Sequence, residues 1–287
     1  MAHSVCGLGY GNLGNLEKAE MHLKSYLELE NKNGNRDKLA KATAQLSSLY
    51  RRKGEIVEAM RMCQEAKGMS IASRSLPLAE EFECLKSWGR FQEALETLEL
   101  IRNAQQFPNP SAKKRMSAVC DANEAPILLE LSRPEEALLL NESALRILKN
   151  DTKLTLLFTA NQVWILAQLG RKEEALSLAE YVEVGLKEFA DAVGVQKSCL
   201  NSLGRAFIEL HNYPKSLEYW LRLKDFPIDP VSMPTNFYYQ GICLEKMRES
   251  EKSQTLFKQA VDLNIDTHDA KLARIQLNLN SNPTAKG

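Results

Sequence analysis

The chain has 287 residues, 44% hydrophobic and 26% charged, with 37 basic and 37 acidic side chains and a pI near 6.9. So even a balance gives no global field to gather a nucleic acid or an anionic membrane, and nowhere do the roughly 18 consecutive apolar residues of a membrane helix occur. The opening MAHSVCGLGYG lacks the basic n-region and apolar run of a signal peptide. Cysteines 6, 63, 84, 120, 199 and 243 stand singly, without a Cys-x-x-Cys pair. They read as reduced, mostly buried thiols of a cytoplasmic protein. Without a signal peptide, the glycosylation sequons at Asn141 and Asn150 are chance matches.

Taken in order, the chain repeats itself. LGNLEKAEMHLK (13–24) returns as LGRKEEALSLAE (169–180). Aligning on the alanine gives seven small anchors: Ala19, Ala59, Ala94, Ala137, Ala175, Ser216 and Ser253, with the closest pair 35 residues apart (59 to 94) and the widest 43 (94 to 137). Five residues before each comes a candidate helix stop: Gly14, Gly54, Gly89, Ser132, Gly170, His211 and Arg248. Four residues after come Leu23, Cys63, Leu98, Asn141, Ala179, Trp220 and Phe257. Self-similarity at this period marks a repeat array. In the fifth unit, LTLLFTANQVWILAQLG carries apolar residues at helical spacing and RKEEALSLAEYVEVGL does so again after the turn. Each unit therefore reads as two helices that cannot bury their apolar faces alone, and stacking them makes a continuous core. Gly7, Gly204 and Gly241, each twelve residues before its anchor, are the small residues expected to face it from the first helix.

Connecting loops are expected at NKNGNRD (31–37), QQFPNPSAKK (105–114) and DFPIDPVSMP (225–234), the last held extended by its prolines. Pro126 falls inside a first helix and is expected to kink or shorten it. After the array (1–265), a helix over 266–280 with Asp266 or Thr267 as cap places Leu272, Ile275 and Leu279 on one face, expected to cover the end of the stack; 281–287 reads as a disordered tail. Met1 stands at the start of the first repeat helix, which leaves that helix without a cover.

The pattern resembles the tetratricopeptide repeat family, which has a small residue at its eighth position, glycine near the fifteenth and alanine at the twentieth. Gly7, Gly14 and Ala19 match in the first copy, Gly204 and Ser216 in the sixth, and the resemblance covers about 1–265. Most copies exceed that family's standard unit, as in kinesin light chain and spindle-orientation adaptors. The resemblance implies an all-α, right-handed superhelical solenoid of about seven helix-turn-helix repeats. Its function would be protein–protein interaction, the partner being a peptide or helical segment held on the concave face made by the first helices. Groove-facing positions then fall on Lys41, Ser48, Arg51, Glu83, Lys86, Asn123, Asn161, Trp164, Asn201, Arg205, Tyr238 and Glu245. Trp164 reads equally as groove contact and as packing between repeats. No copy has the Lys and Asn four residues apart of the chaperone-binding members. Asn123 and Asn161 share one repeat position, with Asn201 one step away, which partly resembles the asparagine ladders of kinesin light chain and spindle-orientation adaptors. A sensor or regulatory module of a larger protein, or a ciliary or cytoskeletal assembly protein, is the alternative.

No residue supports an enzyme, a cofactor or a metal. Gly9-Tyr-Gly11-Asn-Leu-Gly14 matches the dinucleotide fingerprint, but too little chain precedes it for the strand that fingerprint needs. His3, His22, His211 and His268 are far apart in sequence, none at ligand spacing. No nucleophile elbow, phosphate loop or His-Glu-x-x-His occurs. Trp220 takes a core position, and Trp88 reads as half-buried packing.

Overall fold

A computed structural model of the chain describes residues 2–69, 75–104 and 109–281. Among them are fifteen α-helices and no strand. They form seven pairs and a last single helix: α1 (Ala2–Asn12) and α2 (Leu16–Asn33), α3 (Arg36–Lys53) and α4 (Ile56–Met69), α5 (Ser75–Trp88) and α6 (Phe91–Ala104), α7 (Pro110–Glu130) and α8 (Pro134–Leu148), α9 (Thr152–Gln168) and α10 (Lys172–Glu188), α11 (Val193–Glu209) and α12 (Tyr213–Arg222), α13 (Met233–Lys246) and α14 (Ser250–Asp262), then α15 (His268–Ser281).

All seven stop positions have left-handed backbone, with φ from 57° at His211 to 88° at Gly54. Ser132, His211 and Arg248 adopt it without being glycine. The cause is common to all seven: the residue after the stop donates its N–H to the carbonyl five residues back, as Asn15 does to Tyr10, Glu55 to Tyr50 and Glu249 to Leu244, at 2.8–2.9 Å. This bond closes the helix end and leaves the stop residue no other conformation. The seven anchors are all fully buried.

The small residues of the first helices work as expected, against a specific partner. An added Cβ at Gly7 would come within 2.7 Å of Leu23, at Gly204 within 2.6 Å of Trp220, and at Gly241 within 2.5 Å of Phe257. Each partner lies four residues after its anchor, so glycine on one helix makes room for a large side chain on the other. Where the first helix offers a hydroxyl, the contact is polar: Ser47 Oγ donates to the Ala59 carbonyl at 2.8 Å and lies 3.0 Å from Cys63 Sγ. Five of the cysteines are buried free thiols and Cys6 is an exposed one.

The chain divides into two compact units. The first comprises Met1–Gln105, Pro227–Pro234 and Val261–Leu272; the second comprises Gln106–Phe226, Thr235–Ala260 and Ala273–Gly287. In the first unit Ala19, Leu23, Leu46, Leu49 and Met62 form one core cluster. Its turn glycines also receive residues from far along the chain. Pro227 packs on Gly14, Ile265 on Gly54 and His268 on Gly89. Arg52 donates to the Gly11 carbonyl and to Asp229, both at 2.7 Å, and Trp88 Nε1 donates to Asp266 at 2.8 Å. In the second unit Ala118, Ala122, Ala144, Leu148 and Phe158 form a core cluster.

Several expectations are corrected. The 31–37 loop is only Gly34 and Asn35, because glycine ends α2 and the Asn35 side chain caps α3 through Lys38 N. Helix α7 begins at Pro110, inside the second expected loop, and residues 105–108 lie outside the described chain. Pro126 does not shorten α7, which continues to Glu130. The third loop is partly 3-10 turn, over Leu223–Asp225 and Pro230–Ser232. Thr267 caps α15 through Ala270 N, but Ile275 is 52% exposed while Ala270 and Ala273 are buried. Leu272, of the same expected face, is half-buried. The Leu279 side chain and residues 282–287 lie outside the described set. His3 and His22 do meet, Nδ1 to Nδ1 at 3.1 Å, on the exposed surface of α1 and α2.

Candidate partner-binding face

The twelve positions of the sequence reading separate into two groups, one in each unit. In the first unit Lys41 is exposed on α3, while Ser48, Arg51, Glu83 and Lys86 are half-buried. Arg51 Nε stands 3.5 Å from Glu80, and Lys86 lies 2.8 Å from Glu83. Burial pushes the Glu80 carboxyl up; Arg51 pulls the other way, and the Ser48 hydroxyl bonds to it. The cluster ties α3 to α5 through charge, although Arg51 Nε and Glu80 Oε2 are buried without a hydrogen bond.

The second unit carries the more distinctive arrangement. Helices α7, α9, α11 and α13 are successive first helices, and the same repeat positions recur along them. Asn123, Asn161, Ser202 and Tyr239 each stand fourteen residues before their anchors, as Asn161 does before Ala175. Ser202 Oγ donates to Asn161 Oδ1 at 2.8 Å, joining α11 to α9. Three residues further on come Trp164 and Arg205, and four beyond those Gln168 and Glu209, with Glu130 at the equivalent place on α7. A spacing of three, then four, keeps all three positions on one helix face.

Arg205 is the centre. Its guanidinium carbon lies 4.8 Å from the Trp164 ring centroid and 4.5 Å from that of Tyr239, so two aromatic faces flank the cation. Its Nε donates to Asn201 Oδ1 at 3.2 Å, and its Nη1 is ion-paired with Glu130. The Arg205 side chain is 13% exposed and that of Glu130 21%. Two polar atoms on α9 have no protein partner although they are buried: the Trp164 Nε1–H donor and the Gln168 Oε1 acceptor. A buried polar atom without a partner costs on the order of 1–3 kcal/mol.

Trp164 is 7% exposed, so its ring is built into the stack and meets the face mainly as a platform for Arg205. Tyr238 is 9% exposed and packs toward Phe257, with ring centroids 6.0 Å apart. Its neighbour Tyr239 is the residue that reaches Arg205, while also stacking on Trp220 at 4.8 Å. Asn123 and Glu245 are half-buried. Glu130, Gln168 and Tyr239 escaped the sequence reading. The signal that finds them is the recurrence of one position from unit to unit, followed past the first half of the helix.

A second concavity lies on the second helices of the same unit. It is a shallow groove of about 570 Å³ whose lining includes Leu176, Glu180 and Val184 of α10, Tyr219 and Arg222 of α12, and Phe207. Arg222 reaches Glu183 at 2.9 Å across it. Among the described residues no three His, Cys, Asp or Glu side chains gather to hold a metal, and no helix is long and apolar enough to cross a membrane.

No family model matches the chain. No curated protein matches it either. Solved structures do. The chain is similar to a tetratricopeptide repeat protein from Parabacteroides merdae, at 13% identity and a TM-score of 0.55 with 98% of each chain covered. It is similar to a Rap protein complexed with Competence and Sporulation Factor, at 12% identity and a TM-score of 0.70, covering 91% of this chain and 73% of that one. It is also similar to NprR in complex with its cognate peptide NprX, at 16% identity and a TM-score of 0.64, covering 96% and 85%. The chain thus has the fold of tetratricopeptide-type helical-repeat solenoids.

Proposed function

We propose that the chain is a protein-interaction module. In this reading the first-helix face of the second unit takes a peptide segment of a protein partner, extended or helical. The observation that carries it is the Arg205 cluster: a cation flanked by two rings, amide side chains along one face, and the unpartnered Trp164 Nε1 and Gln168 Oε1. Binding energy in such interfaces concentrates on a few buried arginine and aromatic anchors. Nothing in this arrangement calls for catalysis. Partner identification by co-purification and mass spectrometry, followed by calorimetry, tests the reading. Arg205→Ala should weaken binding by roughly thirtyfold, about 2 kcal/mol. Lys172→Ala, exposed at the start of α10, should leave it unchanged. Equal affinity for all three chains would move the site off this face.

A narrower reading, that the module is the peptide-responsive part of a regulator, is supported by the likeness to Rap and NprR, both solved with a bound factor or peptide. It predicts that a short peptide alone, without the rest of a partner, suffices for binding.

A further inference from the structure

Resting on the reading of this face as a peptide site, we propose that a cationic rim at one end of it, made by Lys113, Lys114, Arg115, Arg146, Lys149 and Lys153, takes an acidic stretch of the partner's segment. The rim is a local break in an even charge balance. No acid occurs between Glu99 and Asp121, and Asp151 is the one acid between Glu142 and Glu173. The fold brings these two stretches together: Arg115, near the start of α7, is ion-paired with Asp151, the residue that caps α9. All six cations are exposed. The Asp151 carboxyl is already engaged, since its Oδ1 accepts from Leu154 N at 3.1 Å and its Oδ2 from Arg115. Six cations against this one acid leave an excess of five positive charges on one edge of the second unit.

The rim continues the candidate face. Arg115 and Lys153 share one repeat position, eight residues before Asn123 and Asn161. Steps of four, through Val119 and Leu157, keep each cation on the flank of the stripe that carries the asparagine. Eight residues of helix are about 12 Å long, a gap that roughly three or four extended residues span. A segment lying against Asn123 and Asn161 therefore reaches the rim with the residues next in line at one of its ends. Exposed ammonium and guanidinium groups there draw in carboxylates and set the rate of encounter more than the lifetime of the complex. Acids return at Asp121, at Glu142, and at Glu188 and Asp191. So confined a patch suits one short acidic stretch of protein, whereas a nucleic acid or a membrane presents its charge over a longer track.

The test uses the full chain and a library of random peptides of about twelve residues, long enough to cover the face and its edge. Peptides selected on the wild type in about 0.15 M salt should carry Asp or Glu clustered at one end. A selected peptide is then followed by stopped-flow on wild type, Lys149→Glu/Lys153→Glu, Lys113→Gln/Lys114→Gln, Arg205→Ala, and a control with the same charge reversal away from the rim, Lys172→Glu/Lys252→Glu. At about 0.05 M salt the rim reversal should slow association roughly tenfold and change dissociation less than about twofold. The difference should fade toward about 1 M salt, where screening acts within about 3 Å. The milder glutamine pair should slow association about threefold, and it decides the matter if the reversal fails to fold. A random single-stranded oligonucleotide and phosphatidylserine vesicles are run alongside. Peptides without an acidic end, or rim variants that associate at the control's rate, overturn the rim even where Arg205→Ala weakens binding and the face itself stands. Oligonucleotide or vesicle binding that the rim reversal abolishes, with no acidic end among the peptides, gives the rim to those polyanions and overturns the proposal too. Peptides that bind Arg205→Ala as well as wild type, or a library that yields no binder, overturn both the rim and the reading it rests on.

Discussion

Gly204→Ala measures how tightly the repeat units are packed. A methyl at this position would lie 2.6 Å from Cε2, 2.7 Å from Nε1 and 3.0 Å from Cζ2 of Trp220. Comfortable carbon contacts are about 3.5–4.0 Å, so the indole has to move by roughly an ångström. It has nowhere to go: Trp220 is fully buried and lies parallel to Tyr239, with ring centroids 4.8 Å apart. Overpacking of this kind costs about 1–3 kcal/mol, and replacing a mid-helix glycine returns roughly 0.5–1 kcal/mol. The net loss should be about 1–2 kcal/mol, a fall in melting midpoint of roughly 2–6 °C by circular dichroism. Gly9→Ala is the control, since nothing lies within 4 Å of its added Cβ, and it should raise the midpoint. In a Gly204→Ala/Trp220→Phe double mutant the two losses should add to less than their sum, because the smaller ring leaves room for the methyl. If Gly204→Ala were as stabilising as Gly9→Ala, the glycine would not be there for the tryptophan.

Ala175→Trp, at a fully buried anchor, should destabilise by several kcal/mol, and a neutral thermal shift would break the repeat phase. Arg248→Gly should raise stability by about 0.5–1 kcal/mol in urea unfolding, because an L-residue there holds a φ of 66°. Trp164→Ala should lower stability by about 3–5 kcal/mol while Arg205→Ala costs much less, since the indole is built into the stack. Glu20, bridged to Lys24 and Lys53, has its carboxyl lowered from 4.5 to about 2, foremost by the Lys24 hydrogen bond. A carboxyl depressed in the folded state stabilises fully above its unfolded pKa and loses that contribution as pH falls through the folded one. Glu20→Gln should therefore cost about 1 kcal/mol at neutral pH, discounted for an exposed partner, and the difference from wild type should close between pH 4.5 and about 2.

Most of the local architecture was legible because repetition averages out noise. Ser132, His211 and Arg248 are poor left-handed residues taken singly, and only their place five residues before an anchor identifies them. The glycine-for-large-residue exchange at Gly204 and Gly241 was half visible: the glycines and the residues four beyond the anchors both stood out, but not that Gly204 makes room for Trp220 and Gly241 for Phe257. What escaped depends on contacts between distant segments. Nothing in the local sequence around Gly54 says that Ile265 will cover it, nor around Asp229 that Arg52 will reach it. On the candidate face, Tyr239 reaches Arg205 while Tyr238 packs toward Phe257, a difference of one residue that the strict repeat position, fourteen before the anchor, resolves. The Arg-x-x-Glu pairs that open α8 and α10, Arg133 with Glu136 and Arg171 with Glu174, were readable and were not read.

The central claim is that a partner lies on the first-helix face of the second unit, and a photo-crosslinking amino acid placed there tests it most directly. Substituted at Asn123, half-buried on α7, it should capture the bound partner; substituted at Glu180, exposed on α10 beside the second-helix groove, it should not. Excess selected peptide should abolish the Asn123 crosslink. Crosslinking from Glu180 with none from Asn123 would contradict the account and place the partner on the opposite side of the helix pairs.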